Sequence, residues 1–359
     1  MKENYNVIGL MSGTSLDGMD IVHASFVYSP ENQWKFKIHA AKTVAYLSEL
    51  EIQLANSKKL SGLDLMLLSN HLGQFFGEEV NQFIIENSIT KNNIDFVASH
   101  GHTVFHQPEQ HLTTQIGSGA VLAATTGLTT ISDFRTVDVA LGGHGAPLVP
   151  IGDKLLFSDY QYCLNIGGIA NVSFDHSQQR IAFDVCPANI VLNKLANGQG
   201  KSFDDGGEIA KRGSVNEKLF HQLNALSFYQ QQPPKSLGSE WIEKNIFPLF
   251  SSAESSIEDK LCTMVEHIAY QLSLIFKEKN KSVLVTGGGA FNTFLMERIK
   301  SYTTNNVVVP EKRLVEFKEA LIFAFLGVLR FRNEVNCLAS VTGAKQDNIG
   351  GSVYSKTSN

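Results

Sequence analysis

One arrangement of elements is written twice along this chain, and that duplication limits the available folds more than any other feature. Residues 5–10 form a short apolar run stopped by a glycine-rich turn. Beyond it Val22, Ala24, Phe26 and Tyr28 alternate with Ile21, His23, Ser25 and Val27, and Trp34, Phe36, Ile38 and Ala40 alternate with Lys35, Lys37 and His39. A period of two is that of a strand. Leu68, Leu72, Phe75, Phe76, Phe83 and Ile84 recur near 3.6 residues, which predicts a helix over about 62–87. Strands at 94–99 and 128–132 flank a short helix at 120–126. The order is strand, glycine turn, strand, strand, helix, strand, helix, strand.

The second half opens the same way. Residues 162–166 read as a strand, Gly167-Gly168 as a turn, and 170–174 and 180–184 as two more strands. Helical sequence follows from about Asn189, near 213–224 and over 258–278. A strand at 281–286 enters Gly287-Gly288-Gly289, followed by a helix at 291–300, the strand Val307-Val308-Val309 and a helix at 318–331. The duplication predicts an α/β protein of two similar domains facing a central cleft. The first is expected to span 1–132 plus about 340–359, and the second 133–339.

Composition removes several function classes. With 43% hydrophobic and 18% charged residues, the chain of 359 residues is globular, not disordered. Thirty basic residues against 35 acidic ones give a net charge of −5, which argues against nucleic acid as a main partner. Cys163, Cys186, Cys262 and Cys337 lie far apart with no CxxC pair, so neither a zinc ribbon nor a disulfide framework is expected. No signal peptide is visible, and the most apolar run, 320–329, is half the length of a membrane span. These features predict a cytoplasmic protein without a membrane partner.

Glycine turns let backbone amides approach a phosphate closely, and the amides supply partial positive charge. Three such turns suit a nucleoside triphosphate better than a dinucleotide. No G-x-G-x-x-G follows the first strand and no G-x-x-x-x-G-K-[ST] occurs, so dinucleotide and P-loop readings lose support.

The segment Gly9-Leu10-Met11-Ser12-Gly13-Thr14-Ser15-Leu16-Asp17-Gly18-Met19-Asp20 resembles the opening motif of the anhydro-N-acetylmuramic acid kinases. The resemblance continues through Ser99-His100-Gly101-His102-Thr103-Val104, Asp133-Phe134-Arg135, Gly142-Gly143-His144-Gly145-Ala146-Pro147-Leu148 and Asn165-Ile166-Gly167-Gly168-Ile169-Ala170-Asn171-Val172. It runs on in Phe183-Asp184, Pro233-Pro234-Lys235-Ser236, Gly287-Gly288-Gly289-Ala290-Phe291-Asn292, Glu319-Ala320 and Val341-Thr342-Gly343-Ala344.

The resemblance implies a two-domain actin-like ATPase fold, the duplicated ribonuclease H-like architecture. It also implies an ATP-dependent kinase that hydrolyses the 1,6-anhydro bridge of 1,6-anhydro-N-acetylmuramic acid and phosphorylates O6. The products are N-acetylmuramic acid 6-phosphate and ADP. Mg²⁺ is expected between ATP and the protein, and a homodimer is implied by the resemblance alone.

Residue roles follow from the same likeness. Asp184 matches the family's catalytic aspartate and is assigned as general base for the attacking water, with Glu319 an acidic residue near the reaction. Taken alone, Asp184 also reads as a cap on the helix near Asn189, and Glu319 as a first-turn helix carboxylate. Gly13, Thr14, Ser15, Leu16, Asp17, Gly18, Met19 and Asp20 are expected to cradle the phosphates, with Asp17 and Asp20 near the metal, directly or through water. Asp17-Gly18 equally suits a plain hairpin turn. Asn165, Gly167, Gly168, Gly287, Gly288, Gly289 and Asn292 are expected around the nucleotide. Arg135 is a candidate for a forked contact with the sugar's carboxylate or a phosphate, or for a salt bridge with Asp133 or Asp138. His102 and His144 are candidate sugar contacts.

Several positions depart from the family's usual pattern. His102 and His144 replace glutamine, Ser118-Gly119 replaces Asp-Pro, and Val185-Cys186-Pro187-Ala188-Asn189 replaces Thr-Gly-Pro-Gly-Asn. These departures leave a kinase for a related sugar as an alternative, along with a nucleotide-dependent sugar sensor that has lost turnover. A metal-dependent hydrolase is a third rival. His100 and His102 share one strand face, and His106 and His144 are available to complete a metal site.

Overall fold

A computed structural model of the chain describes residues 2–13, 16–29, 31 and 33–356. Among them the first strands are β1 (Asn4–Ser12), β2 (Met19–Tyr28), β3 (Trp34–Val44), β4 (Phe96–Gln107), β5 (Leu112–Ile116) and β6 (Thr130–Ser132). The later ones are β7 (Tyr162–Ile166), β8 (Ile169–His176), β9 (Gln179–Pro187), β10 (Ser282–Thr286), β11 (Asn306–Val308) and β12 (Ser352–Tyr354). The chain divides into two units, Met1–Leu156 with Phe317–Asn359, and Phe157–Glu316. The expected boundaries assign 133–156 and 317–339 to the second domain, whereas these stretches pack with the first unit.

In the first unit the sheet order is β12-β6-β4-β1-β2-β3, with β5 beside β4. β1 runs antiparallel to β2 and parallel to β4, and β4 runs parallel to β6. The helix Gly62–Glu86 covers one face because Leu65, Leu68, Leu72, Phe76, Val80 and Phe83 return to one side every three or four residues. Ser61 caps it by accepting from the Asp64 amide. The apolar run 320–329 is buried throughout, inside the helix Lys312–Phe331. That helix lies against β1 closely enough that a Cβ on Gly9 would meet the Ala320 carbonyl oxygen at 2.3 Å. The most apolar segment is therefore a core helix. Among the described residues no helix is long and apolar enough to cross a membrane.

The second unit repeats the plan. Its sheet order is β11-β10-β7-β8-β9, with β7 antiparallel to β8 and parallel to β10. Thus β9-β8-β7-β10-β11 reproduces the order β3-β2-β1-β4-β6, and the expected duplication is present. The helix Ile257–Ser273 supplies Leu261, Met264, Val265, Ile268, Ala269 and Leu272 to this unit's core. All four cysteines are buried and free.

Candidate functional site

In the first unit β1 ends at Ser12 and β2 begins at Met19, so residues 13–18 connect the two strands. Gly18 has φ of +145°, and a Cβ there would fall 2.4 Å from the Val44 carbonyl oxygen. Only glycine fits that approach. Gly13 and Leu16 are half-buried and Asp17 is exposed. The half-buried Asp20 accepts a hydrogen bond from the Thr43 hydroxyl at 2.6 Å. Met19 is fully buried in the core, so its side chain belongs to packing. Thr14 and Ser15 lie outside the described residues. Behind the turn the Tyr46 hydroxyl donates to Ser12 Oγ at 2.6 Å, and Ser12 Oγ lies 2.9 Å from His102 Nδ1. Burial pushes the Tyr46 phenol up to about 12, with Asp17 and Asp20 adding to the shift.

Arg135 follows β6 and turns onto His100. Its Nε and Nη2 lie 3.0 and 2.8 Å from His100 Nε2, and its Nη1 donates to the Gly145 carbonyl at 2.6 Å. His100 Nδ1 contacts the Gly101 carbonyl at 2.9 Å, so Nδ1 carries the proton and Nε2 accepts from the guanidinium. Among the described residues neither Asp133 nor Asp138 forms a salt bridge with Arg135, which corrects that expectation, and its Nε–Nη2 edge rests on His100. Burial lowers Arg135 to about 10, opposed by Glu319, Cys337 and Asp138. Burial also holds the His100 imidazolium well below its ordinary range, and Arg135 reinforces the effect.

The Asp138 carboxylate is fully buried. Oδ2 accepts from the Gly145 amide at 2.7 Å, while Oδ1 accepts from Thr342 Oγ1, Asn348 Nδ2 and Cys337 Sγ at 2.8, 2.8 and 3.0 Å. It joins the loop around Gly145 to the chain's last segment, and Gly145 in turn holds Arg135. His144 is exposed; its backbone amide donates to the Thr342 carbonyl. Glu319 keeps more than a third of its surface in solvent. The protein around it nonetheless raises its carboxyl, with Arg135 and Lys318 opposing.

In the second unit Asp184 lies on β9 opposite Asn171 of β8. Its amide donates to the Lys235 carbonyl at 3.1 Å, and its Oδ2 accepts from the Leu237 amide at 2.8 Å. The segment after Pro233-Pro234 is thus a strap that orients the carboxylate. Desolvation raises the Asp184 carboxyl, and the Leu237 amide partly offsets it. The helix Asn189–Asn197 has Ala188 at its N-cap and no side-chain cap, so the capping role is not observed.

The glycine turns of this unit interlock. Gly287 has φ of +82°, and a Cβ there would meet Asn165 Oδ1 at 2.6 Å and the Ile166 carbonyl oxygen at 2.7 Å. Gly289 packs on Ile166. Gly168 and Gly288 are exposed, and the nearest atoms to a Cβ on them are 3.8 and 3.7 Å away. Two close-packed turns therefore leave an open main-chain surface. Asn292 caps the helix Thr293–Ser301 through its amide oxygen, accepting from Leu295 N at 2.9 Å.

Sequence reasoning named Asp184, Arg135 and His102 but missed the residues that hold them. Leu237 acts through its backbone amide and leaves no side-chain signature. Asp138 carried a signal, a lone acid in the apolar stretch Thr136-Val137-Asp138-Val139-Ala140. The metal-dependent hydrolase loses its basis, because the His100 lone pair is taken by Arg135. No group of three or more His, Cys, Asp or Glu among the described residues is placed to hold a metal.

Comparison with known proteins adds an independent observation. The family model described as anhydro-N-acetylmuramic acid kinase matches residues 5–356. A protein of that name from Mannheimia succiniciproducens is 35% identical over 381 aligned positions, covering 99% of this chain and 100% of the relative. One from Vibrio parahaemolyticus is 34% identical, with coverage of 99% and 100%. Another from Bacillus thuringiensis subsp. konkukian is 33% identical, with coverage of 97% and 98%.

Proposed function

Because this chain belongs to the anhydro-N-acetylmuramic acid kinase family, we propose that it opens the 1,6-anhydro bridge of 1,6-anhydro-N-acetylmuramic acid and phosphorylates O6 with ATP. One water molecule is consumed, and N-acetylmuramic acid 6-phosphate and ADP are released. The observation that carries the catalytic assignment is the Asp184 carboxylate. One oxygen is held by the Leu237 amide, and desolvation raises its basicity.

Inverting hydrolysis of a glycosidic bond ordinarily needs a base for the water and an acid for the leaving oxygen. Here the leaving O6 bonds to the γ-phosphoryl group and needs no proton, so one base suffices. Asp184 takes a proton as water attacks C1, the C1–O6 bond breaks, and O6 takes the γ-phosphoryl group of ATP, with ADP as the leaving group. Holding Oδ2 on the Leu237 amide leaves Oδ1 to receive that proton. In this reading Gly167, Gly168, Gly287, Gly288 and Gly289 bring main-chain groups to the nucleotide, with Asn165 fixing the meeting of the two turns. Asn292 contributes by capping the adjoining helix. Gly13, Leu16 and Gly18 are assigned to the phosphates, as are Thr14 and Ser15, which lie outside the described residues, and Arg135, His144 and Glu319 are assigned to the sugar.

The donor set suits Mg²⁺, a hard cation that prefers carboxylate oxygens. Asp17 and Asp20 both act electrostatically on Tyr46 and belong to the hairpin that carries the turn. They would hold the ion directly or through water, and when bound it supplies charge neutralisation for phosphoryl transfer. We place the protein in the cytoplasm, where ATP is available, and as a homodimer, which sedimentation at working concentration tests.

The decisive assay couples ADP release to mass spectrometry of the sugar in oxygen-18 water. The expected product gains phosphate plus one labelled water. Phosphorylation without hydration would indicate a different sugar kinase. ATP binding without any product would indicate a sensor.

A further inference from the structure

We propose that Tyr46, Ser12 and His102 form a hydrogen-bond relay that fixes His102 as a one-way donor, its Nε2–H meeting an acceptor oxygen of a bound substrate. The kinase reading supplies the identity of the substrates; the placement of the proton does not depend on it.

Ser12 of β1 and His102 of β4 are partners in register, and they are 2% and 3% exposed. Tyr46 is 7% exposed. A serine hydroxyl has one hydrogen. Accepting from Tyr46 at 2.6 Å, Ser12 gives its own hydrogen to His102 Nδ1 at 2.9 Å. The reverse polarity would leave the Tyr46 O–H buried without an acceptor, since among the described residues it meets no other. Buried donors are paired in nearly all native structures. Nδ1 is therefore bare and the hydrogen sits on Nε2, and burial lowers the pKa of the ring, which works against its charged form.

Among the described residues nothing pairs with Nε2. His102 therefore presents a donor with no protein partner from a buried side chain, beside the end of β1. In open α/β sheets ligands bind at the carboxyl ends of parallel strands, and β1 and β4 are parallel. An oxygen of the sugar or of a nucleotide phosphate satisfies such a donor. Glutamine, the usual residue here in the resembling family, can turn either its N–H₂ or its C=O outward. An imidazole held at Nδ1 cannot.

Long-range proton–nitrogen correlations on the free protein, labelled with ¹⁵N in its histidine rings, test the relay without turnover. Nδ1 of His102 should be bare and Nε2 protonated, and Tyr46→Phe should mix the two tautomers. Adding the anhydro sugar or a non-hydrolysable ATP analogue separately shows which one moves the Nε2 signal. In steady-state kinetics His102→Ala should raise KM for that same substrate about tenfold, the scale of one hydrogen bond. His102→Gln should recover most of the loss. A proton on Nδ1 in the free protein overturns the relay. An Nε2 signal indifferent to both compounds, with both KM values unchanged in a folded His102→Ala protein, overturns the contact. Should the sugar prove to be another one, tautomer and analogue response still decide the matter.

Discussion

The two units share one strand order and differ in what hangs from it. Between β1 and β2 the connection is six residues, 13–18; between the equivalent β7 and β8 it is two, Gly167 and Gly168. Around its sheet the first unit gathers Arg135, His100 and His102, and two aspartates sit on its hairpin. The second supplies tight glycine turns and one strapped carboxylate, Asp184. A common apolar framework therefore fixes the sheet, and loop length with a few polar side chains fixes the work each copy does.

That division is broken most sharply at Asp184. Asp184→Asn should lower turnover by about 10²–10⁴-fold, the usual range for a lost general base, with little change in KM for ATP. Near-normal turnover would move the base elsewhere. Its folded-state carboxyl lies above its unfolded value. The folded protein thus holds that proton to higher pH, and stability from this group is present at low pH and lost as pH rises through the window between the two values. Activity runs the other way. The acidic limb of kcat/KM should stand above the ordinary aspartate range, and Asp184→Asn should abolish it.

Asp138 is the first unit's held carboxylate, fully buried where Asp184 is half-buried, and it differs in role. Asp138→Ala should destabilise the protein by about 3–5 kcal/mol, because the Gly145, Cys337, Thr342 and Asn348 donors would be left buried without their acceptor. Urea titration checks it. A loss under about 1 kcal/mol would mean that water takes over the site. Asp184→Asn, by contrast, should leave the urea midpoint almost unchanged, separating an acid used for chemistry from one used for structure.

Within the second unit, two glycines separate packing from an open surface. Gly287→Ala puts a methyl group against Asn165 and the Ile166 carbonyl at positive φ, and should cost about 1–3 kcal/mol of stability. Gly168→Ala meets nothing closer than 3.8 Å and should fold normally. If Gly168 lies at the nucleotide, that same variant should weaken binding of an ATP analogue severalfold, read by calorimetry. Equal melting losses in the two variants would refute the distinction.

How much of this was legible beforehand follows from which interactions are local. β2 and β3 show a two-residue period, β1 is a short apolar run stopped by a glycine turn, and the second half repeats the order of elements, so the duplicated framework could be read directly. The helix expected at 318–331 begins at Lys312, because buried Leu314 and Val315 extend its apolar face past a charged opening turn. β5 was missed because Leu112-Thr113-Thr114-Gln115-Ile116 is polar and owes its shape to pairing with β4. Asp184 and Arg135 were recognisable by motif. Their holders were not, since Leu237 lies 53 residues from Asp184 and acts by its backbone, and Tyr46 and His102 reach Ser12 across 34 and 90 residues.

The smallest expected effect concerns His144, which sequence reasoning paired with His102 as a sugar contact. The two histidines now differ in every physical respect. His102 is buried, with Nδ1 engaged, whereas His144 is exposed on a loop held by its backbone amide and by the Asp138 contact to Gly145. His144→Ala should therefore change stability by no more than about 0.5 kcal/mol, as for a surface side chain. If the imidazole also touches the sugar, KM for the sugar should rise severalfold while kcat and KM for ATP hold. An unchanged KM would confine the contribution of this loop to its backbone and leave His102 as the histidine that faces a substrate.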